Sequence, residues 1–188
     1  MSTLRVISGT AKGLRLASVP GESTRPITDR VKESVFNIIG NDVKDSNWLD
    51  LFGGTGAVSI EALSRGANSA TIIEINQTAV NIINKNLQYT NLFKRSKVIK
   101  ADSFTFLNTS LIKPHQYIYV APPQYKEFWE KSMRVLDDKS GWLSDDGWII
   151  VQIHPVEYKK LNLINFTEFD QRKYGSTLCV FFEKLPGE

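Results

Sequence analysis

The sequence contains few of the residues on which disulfide frameworks, metal centres and membrane anchors depend. Its 188 residues include one cysteine and two histidines, which excludes an internal disulfide and a cysteine zinc cluster. No apolar run approaches the roughly 18 residues of a membrane-spanning helix, and residues 1–5 lack the apolar core of a signal peptide. These absences predict a cytoplasmic protein without a metal centre and without a membrane partner.

The net charge is small but unevenly distributed. The formal charge of the whole chain is +3. Residues 1–32 contain six basic and two acidic residues and therefore hold +4, so the remainder is close to neutral. A basic N-terminal arm favours a polyanionic partner such as RNA or DNA. A merely solvated N-terminus would have the same composition, and this alternative stays open.

The most informative stretch is an apolar segment that runs directly into a glycine turn, residues 48–56 (WLDLFGGTG). Glu74 ends a second apolar run 18 positions after Gly56. In open α/β sheets this arrangement holds a nucleoside cofactor, because the glycines let the backbone approach the ligand and the carboxylate binds the ribose hydroxyls. Ser59 occupies the third glycine position of the dinucleotide fingerprint, which disfavours a nicotinamide cofactor and hence a dehydrogenase.

Hydrophobic periodicity predicts alternating strands and helices along most of the chain. Strands are predicted at residues 48–52, 70–75, 97–101, 117–121 and 147–153. Helices are predicted at residues 30–39 (capped by Thr28 or Asp29), 57–66, 77–89, 126–136 and 155–160. Hairpins are predicted for 5–9 with 14–18 and for 163–172 with 177–183. Strands separated by helices imply an α/β fold with a parallel sheet.

Five helix-linked strands that close in a β-hairpin resemble the class I methyltransferase fold, which is Rossmann-like with a seven-stranded, mostly parallel sheet. Residues 50–56 resemble the cofactor motif of S-adenosylmethionine-dependent methyltransferases. More narrowly, the chain resembles the RsmD family, bacterial methyltransferases of a 16S rRNA guanine at N2. The matching blocks are 5–9 (RVISG), 25–37 (RPITDRVKESVFN), 50–56 (DLFGGTG), 61–67 (EALSRGA) and 174–175 (YG). The resemblance implies a basic extension at 1–40 and a methyltransferase domain at 41–188.

The resemblance also implies S-adenosylmethionine as the cofactor, with S-adenosylhomocysteine as the product. Gly54 and Gly56 would let the main chain pack beneath it, and Glu74 would accept bonds from its ribose. Asp50 would lie near the amino-acid end and Asp102 near the adenine, unless each serves only as a helix cap. The full set of predicted cofactor residues is Thr28, Arg30, Asp50, Phe52, Gly54, Gly56, Glu74, Ile75, Asp102 and Ser103.

Residues 121–125 (APPQY) occupy the position at which amine-directed methyltransferases carry Asp/Asn-Pro-Pro-aromatic. In that pattern a side-chain oxygen and a proline-region carbonyl accept bonds from the target amine, and the aromatic ring stacks on the base. Here Ala121 replaces the acid and Gln124 replaces the aromatic residue. Pro122 and Pro123 are kept, and an aromatic residue, Tyr125, follows one position later.

Three interpretations of this motif are open. In the first, the backbone carbonyls of Ala121 and Pro122 are enough to hold the amine, and Tyr125 stacks on the base. In the second, Gln124 supplies the missing side-chain oxygen. In the third, the site is degenerate and the protein binds without methylating. A rigid turn that ends a strand is the structural alternative, and an amine in another nucleic acid or in a protein is the alternative target. The two histidines form no triad, and Cys179 lies in an apolar run, so neither type is predicted to be catalytic.

The basic residues near the N-terminus are predicted to contact RNA phosphates, which sets affinity more than sequence choice. Arg30 is also expected to reach into the cofactor site. An N-capped helix with exposed basic residues is the structural alternative. The implied partner is 16S rRNA in a small-subunit assembly particle, bound by a monomer. The predicted RNA-binding residues are Arg5, Lys12, Arg15, Arg25 and Lys32.

Overall fold

The computed structural model describes residues 4–20, 27–109 and 113–185. Packing divides the chain into two compact units, Met1–Ser103 and Phe104–Glu188. The predicted extension at 1–40 lies inside the first unit, and its functional separation from residues 41–188 stays a prediction. None of the helices formed by the described residues is long and apolar enough to cross a membrane.

The first unit contains a parallel sheet in which β2 pairs with both β1 and β3. Its strands are β1 (Asn47–Asp50), β2 (Ser69–Glu74) and β3 (Ser96–Lys100). Its helices are α1 (Asp29–Ile39), α2 (Ala57–Ser64) and α3 (Gln77–Tyr89), and α4 (Ser103–Leu107) begins at its last residue. Trp48, Leu49 and Ile72 are fully buried, as expected for strands that are covered on both faces.

The helix caps follow from side chains that the sequence marks. The Thr28 hydroxyl accepts a hydrogen bond from the amide of Val31 at 3.3 Å, which confirms the predicted start of α1. The Asn76 side chain accepts from the amides of Thr78 and Ala79 at the start of α3. Each cap satisfies amides that have no partner inside the helix.

The N-terminal segment is less regular than the predicted hairpin. The amide of Val6 donates to Leu14 and the amide of Leu16 donates to Leu4, but within the described residues this pairing amounts to an isolated bridge between Arg5 and Arg15. The segment packs on α2 so closely that a Cβ at Gly9 would lie 1.9 Å from the Ser64 carbonyl oxygen. Contact with a helix therefore holds this segment in place of extended strand pairing.

The second unit contains a mixed sheet and one long helix. Its strands are β4 (His115–Val120), β5 (Leu143–Ile153), β6 (Phe166–Tyr174) and β7 (Thr177–Lys184), and its helix is α5 (Phe128–Asp138). β4 and β5 are parallel, whereas β7 is antiparallel to both β5 and β6. The predicted terminal hairpin is therefore present, with Gly175 in its turn at a φ of 59°.

Seven strands in the described residues, with parallel pairs linked by helices and an antiparallel hairpin at the end, confirm the predicted α/β fold class. Residues 155–160 were wrongly predicted to be helical: Pro155–Glu157 form a single 3-10 turn. β5 begins at Leu143, four residues before its predicted start. The strand continues through Gly147, where a Cβ would lie 2.7 Å from the Gln116 carbonyl oxygen.

Candidate functional site

A glycine turn connects β1 to α2 and forms the base of the candidate cofactor site. β1 ends at Asp50 and α2 begins after Gly56. Gly54 and Gly56 have φ values of 54° and 77°, a left-handed conformation that residues with side chains rarely adopt. The Gly56 amide donates to the Gly53 carbonyl at 2.7 Å, which closes the turn.

Gly53 and Gly54 are glycines for different reasons. A Cβ at Gly53 would lie 2.5 Å from a side-chain carbon of Ile72 and 2.9 Å from one of Ile83, so a side chain here would prevent the turn from packing on β2 and α3. A Cβ at Gly54 would meet no atom within 4 Å. Space is therefore open beside Gly54, where a ligand can approach the main chain.

Asp50 lies beneath this turn with 2% of its surface exposed. Its carboxylate accepts a hydrogen bond from the Ser59 hydroxyl at 2.9 Å and another from the Phe52 amide at 3.3 Å. Burial raises the pKa of Asp50 to about 7, although these two bonds act in the opposite direction. The carboxylate thus joins the turn to α2 through the Ser59 side chain and does not cap the helix, whose N-cap Gly56 has no side-chain cap bond. Its contact with a cofactor stays a prediction.

Glu74, at the end of β2, is bonded directly to the turn. Its Oε2 accepts from the Gly54 amide at 2.8 Å, and its Oε1 accepts from the Asn76 amide at 2.8 Å. A carboxylate has about four acceptor sites, so roughly two remain for hydroxyl donors. The next residue, Ile75, has 64% of its surface exposed. A polar acceptor followed by an exposed apolar side chain suits the ribose and base of a nucleoside.

The other predicted cofactor residues are placed as follows. Ser103 is buried and its hydroxyl donates to the Leu51 carbonyl, so only its acceptor lone pairs are left for a ligand. Phe52 and Asp102 are half-buried. Thr28 and Arg30 are exposed at the start of α1. Contacts between these residues and a cofactor stay predictions.

Lys32 does not reach solvent, and its predicted contact with RNA is wrong for that reason. Its side chain is fully buried, with the ammonium 3.5 Å from a carboxylate oxygen of Glu61, and it donates to the carbonyl of Arg5. Burial lowers the pKa of Lys32, while Glu61 partly offsets this effect. A buried ammonium cannot contact a phosphate, so Lys32 instead joins the N-terminal segment and α1 to α2.

Glu61 is the centre of this buried network. Its carboxylate accepts from the amide of Ile7 at 2.8 Å, from the amide of Ser8 at 3.0 Å and from the guanidinium of Arg65 at 2.7 Å. All eight residues of α2 are buried. An acidic residue in such a helix needs partners, and this is the sequence signal that could have identified it.

The remaining predicted RNA-binding residues differ in their surroundings. Arg5 is exposed and forms an ion pair with Asp29 at 2.7 Å. Lys12 and Arg15 are exposed. Arg25 lies outside the described residues. Phosphate contacts by these four residues stay predictions.

In the second unit, β4 leads into the proline corner, residues 121–125. Ala121 and Pro122 are half-buried, whereas Pro123, Gln124 and Tyr125 are exposed. Tyr125 has 67% of its surface exposed and a φ of 61°. The corner therefore presents an amide side chain and an aromatic ring to solvent, and it has no carboxylate of its own.

Glu157 and His154 contact this corner, although no motif or spacing marks either residue. The Tyr125 amide donates to Glu157 at 2.8 Å, and the His154 amide donates to the other oxygen of the same carboxylate at 3.2 Å. The rings of Tyr125 and His154 have centroids 6.0 Å apart. Since 32 positions separate Glu157 from Tyr125 in the chain, only the folded structure reveals the contact.

Two further titratable side chains of the second unit, His115 and Cys179, are buried away from solvent. His115 is buried and stacked on Trp142, its Nδ1 has no hydrogen-bond partner, and burial lowers its pKa to about 4. Cys179 is buried, which raises its pKa to about 12. Across the described ranges, no group of three or more His, Cys, Asp or Glu side chains could hold a metal ion.

Comparison with known proteins extends over nearly the whole chain. The family model described as "Conserved hypothetical protein 95" matches residues 4–183. The chain is 38% identical to "Putative rRNA methyltransferase YlbH" of Bacillus subtilis over 96% of this chain and 99% of that protein. It is 35% identical to "Ribosomal RNA small subunit methyltransferase D" of Escherichia coli K12 over 79% of this chain and 74% of that protein.

The fold of the chain also matches solved structures over nearly its whole length. "Putative methyltransferase yhhF from Escherichia coli" has a TM-score of 0.86 and 30% identity, over 97% of this chain and 98% of that chain. The likeness confirms the Rossmann-like fold of class I methyltransferases. The chain therefore belongs to the family described as "Conserved hypothetical protein 95", the RsmD family of methyltransferases.

Proposed function

We propose that this protein is an S-adenosylmethionine-dependent methyltransferase that modifies the exocyclic N2 amine of a guanine in 16S rRNA. One observation carries the proposal: the Glu74 carboxylate is bonded to the Gly54 amide beside open space. A carboxylate with acceptor sites to spare, next to unobstructed main chain, suits the ribose of a nucleoside cofactor. Membership of a methyltransferase family supports methyl transfer as the chemistry.

The residues of the first unit fit this cofactor, which would supply a methyl group activated by a positively charged sulfonium. Glu74 would accept bonds from the ribose hydroxyls, and Ile75 would pack against the adenine. Gly54 leaves room for the ligand to approach the backbone. Asp50, beneath the turn, adds negative potential near the amino-acid end. Phe52, Asp102, Ser103, Thr28 and Arg30 complete the proposed set.

The proline corner of the second unit holds the target amine. This amine is a weak nucleophile because its lone pair is delocalised into the ring, so catalysis depends mainly on positioning. The carbonyls of Ala121 and Pro122 accept hydrogen bonds from the amine and stabilise the positive charge that develops on its nitrogen. The bound cofactor would supply the methyl group, so that an N–CH₃ bond would form as the S–CH₃ bond breaks, and the amine proton would leave to water. Gln124 is exposed and offers one further oxygen.

An RNA substrate is supported by the rRNA methyltransferase names of the relatives. Arg5, Lys12 and Arg15 would contact phosphates along the N-terminal segment. A guanine in folded RNA must be exposed or turned out before its N2 amine can reach the cofactor. We therefore propose that a monomer acts in the cytoplasm on a small-subunit assembly particle, before the target base is enclosed.

A second candidate function is supported by one specific observation. Ala121 provides no side-chain acceptor for the amine, and the aromatic residue of the corner is displaced by one position. A protein with this corner could bind the cofactor and RNA without transferring the methyl group. In this candidate function the fold and the cofactor site of the first unit are the same, but no methyl group is transferred.

Cofactor binding and the modification itself test the proposal separately. Calorimetry with the purified protein is expected to show S-adenosylmethionine binding that Glu74→Ala abolishes and that Asp146→Asn, an exposed carboxylate in β5, leaves unchanged. Mass mapping of 16S rRNA nucleotides from cells with and without the gene is expected to show one guanine that loses a methyl group.

The outcomes discriminate between the candidates. Absence of cofactor binding in the wild-type protein overturns the proposal. Cofactor binding without methyl incorporation into undermethylated 16S rRNA or small subunits favours the second candidate. Incorporation at an adenine or into a ribosomal protein replaces the guanine target with another amine.

A further inference from the structure

The Glu157 carboxylate accepts a hydrogen bond from the backbone amide of the exposed Tyr125 and has no part in the reaction described above. We propose that Glu157 is a positioning residue that holds Tyr125, so that the tyrosine ring forms the stacking surface for the target base. The proposal rests on the proposed function, since it assigns the base platform of that same site. It begins from the backbone of the proline corner.

The backbone at the end of the corner, and two residues beyond it, has a conformation that the sequence does not favour. Tyr125 has a φ of 61° and Glu127 a φ of 53°, and neither residue is a glycine or an asparagine. A bulky side chain in the left-handed region carries a conformational cost and persists only where its surroundings determine it. Something outside the corner must therefore compensate for this cost.

The Glu157 carboxylate provides the compensating contact. It accepts from the Tyr125 amide at 2.8 Å, and hydrogen bonds to an ionised acceptor are stronger than neutral ones. Its second oxygen accepts from the His154 amide at 3.2 Å, and the His154 imidazole accepts from the Val156 amide at 3.3 Å. These bonds fix Glu157 in the Pro155–Glu157 turn, which begins two residues after the end of β5.

The same arrangement leaves much of the tyrosine ring free. The Tyr125 and His154 rings are 6.0 Å apart and tilted by 42°, yet 67% of Tyr125 is exposed. An exposed ring held at its backbone is suited to stack on an unpaired base. In this chain the family's aromatic position holds Gln124. The next residue, Tyr125, has the left-handed backbone and takes the role of the aromatic residue.

Variants of Glu157 test the proposal through kinetics. Glu157→Ala removes both acceptors and is expected to lower kcat for RNA methylation by about 10-fold to 100-fold, since small displacements of a reacting group cost this much. Glu157→Gln retains one acceptor oxygen, and its kcat is expected to lie between those of Glu157→Ala and wild type. The S-adenosylmethionine affinity should stay within about two-fold in both. Asp146→Asn controls for the loss of one exposed negative charge.

A double-mutant cycle shows whether Glu157 acts through Tyr125. Tyr125→Ala should lower kcat at least as much as Glu157→Ala, and the double variant should be no worse than Tyr125→Ala alone, because one residue acts through the other. Tyr125→Phe retains the ring and should retain most of the activity. Additive losses, or wild-type kcat in Glu157→Ala, would overturn the proposal.

Hydrogen exchange separates failure of this proposal from failure of the proposed function. The Tyr125 amide should exchange slowly in wild type and rapidly in Glu157→Ala, because its acceptor is gone. Equal exchange in both proteins overturns the role of Glu157 even if the enzyme is active. A wild-type protein that binds no cofactor overturns the proposed function, whatever the exchange rates show.

Discussion

At the scale of single residues, Asp50 combines deep burial with a pKa near neutrality. Burial favours its neutral form and raises its pKa to about 7. A nearby positive charge favours the ionised form. The sulfonium of S-adenosylmethionine would supply such a charge, so binding of this cofactor would release a proton from Asp50 at pH values below about 7.

We therefore predict that the affinity for S-adenosylmethionine rises between pH 6 and pH 7 and levels off above pH 7. The gain is expected to be at most about ten-fold per pH unit, as for a single proton released on binding. Calorimetry across this range measures it. S-adenosylhomocysteine lacks the sulfonium charge and should show a weaker dependence. An unchanged pH dependence in Asp50→Asn would contradict the assignment to Asp50.

Ala121 leaves the proline corner without the acid that the resembled motif carries. A carboxylate at this position would accept a hydrogen bond from the amine and stabilise the charge that develops on its nitrogen. We predict that Ala121→Asp raises kcat for RNA methylation by about 10-fold or more, since one oriented hydrogen-bonding group is typically worth that much. Single-turnover methyl incorporation measures the rate directly.

Gln124→Ala serves as the companion variant. If the Gln124 oxygen replaces the missing acid, this change lowers kcat in the wild-type background and has little effect beside Ala121→Asp. If the backbone carbonyls suffice, Gln124→Ala is nearly silent in both backgrounds. A flat response to Ala121→Asp counts against the whole account of the corner.

At the scale of elements, α2 is joined to the N-terminal segment by the buried Glu61 network. Glu61→Ala leaves the Lys32 ammonium buried without its carboxylate partner and removes the acceptor of two amides, those of Ile7 and Ser8. Removing one partner of a buried ion pair typically costs about 3–5 kcal/mol. We predict a loss of this size in the free energy of unfolding, measured by urea denaturation.

Two variants check the assignment. Lys32→Met should lower the free energy of unfolding by less than Glu61→Ala does, because Glu61 keeps Arg65 and two amides as donors. Asp29→Ala breaks the exposed ion pair with Arg5 and should cost less than about 1 kcal/mol. Equal losses in Asp29→Ala and Glu61→Ala would show that burial of the pair is unimportant.

The elements also show what the sequence could predict. The glycine turn and Glu74 follow strands with clear apolar patterns, so their place at strand ends could be inferred locally. The contacts of Glu61 with Ile7 and of Glu157 with Tyr125 join residues 54 and 32 positions apart. Such pairings depend on how elements pack, which no local pattern encodes. The predicted RNA contact of Lys32 is wrong for this reason, since in the sequence alone a buried basic residue near a helix start looks the same as an exposed one.

At the scale of the whole molecule, two buried groups affect stability in opposite directions over overlapping pH ranges. Asp50 has a raised pKa, so the stability it contributes at low pH is lost as pH rises from about 3.8 to about 7. His115 has a pKa lowered to about 4 from 6.5. Its protonation in the unfolded chain therefore lowers stability as pH falls from 6.5 to about 4.

Replacing His115 by a residue that does not titrate should remove its contribution to the pH dependence of stability. Below pH 6.5 the imidazole is protonated in the unfolded chain but not in the folded protein. The free energy of unfolding of wild type should therefore fall by about 3 kcal/mol relative to that of His115→Phe between pH 6.5 and pH 4. Urea denaturation at several pH values gives the two slopes. The comparison uses the change with pH, so any constant cost of replacing the imidazole on Trp142 cancels. Parallel slopes would mean that His115 becomes protonated in the folded protein as readily as in the unfolded chain.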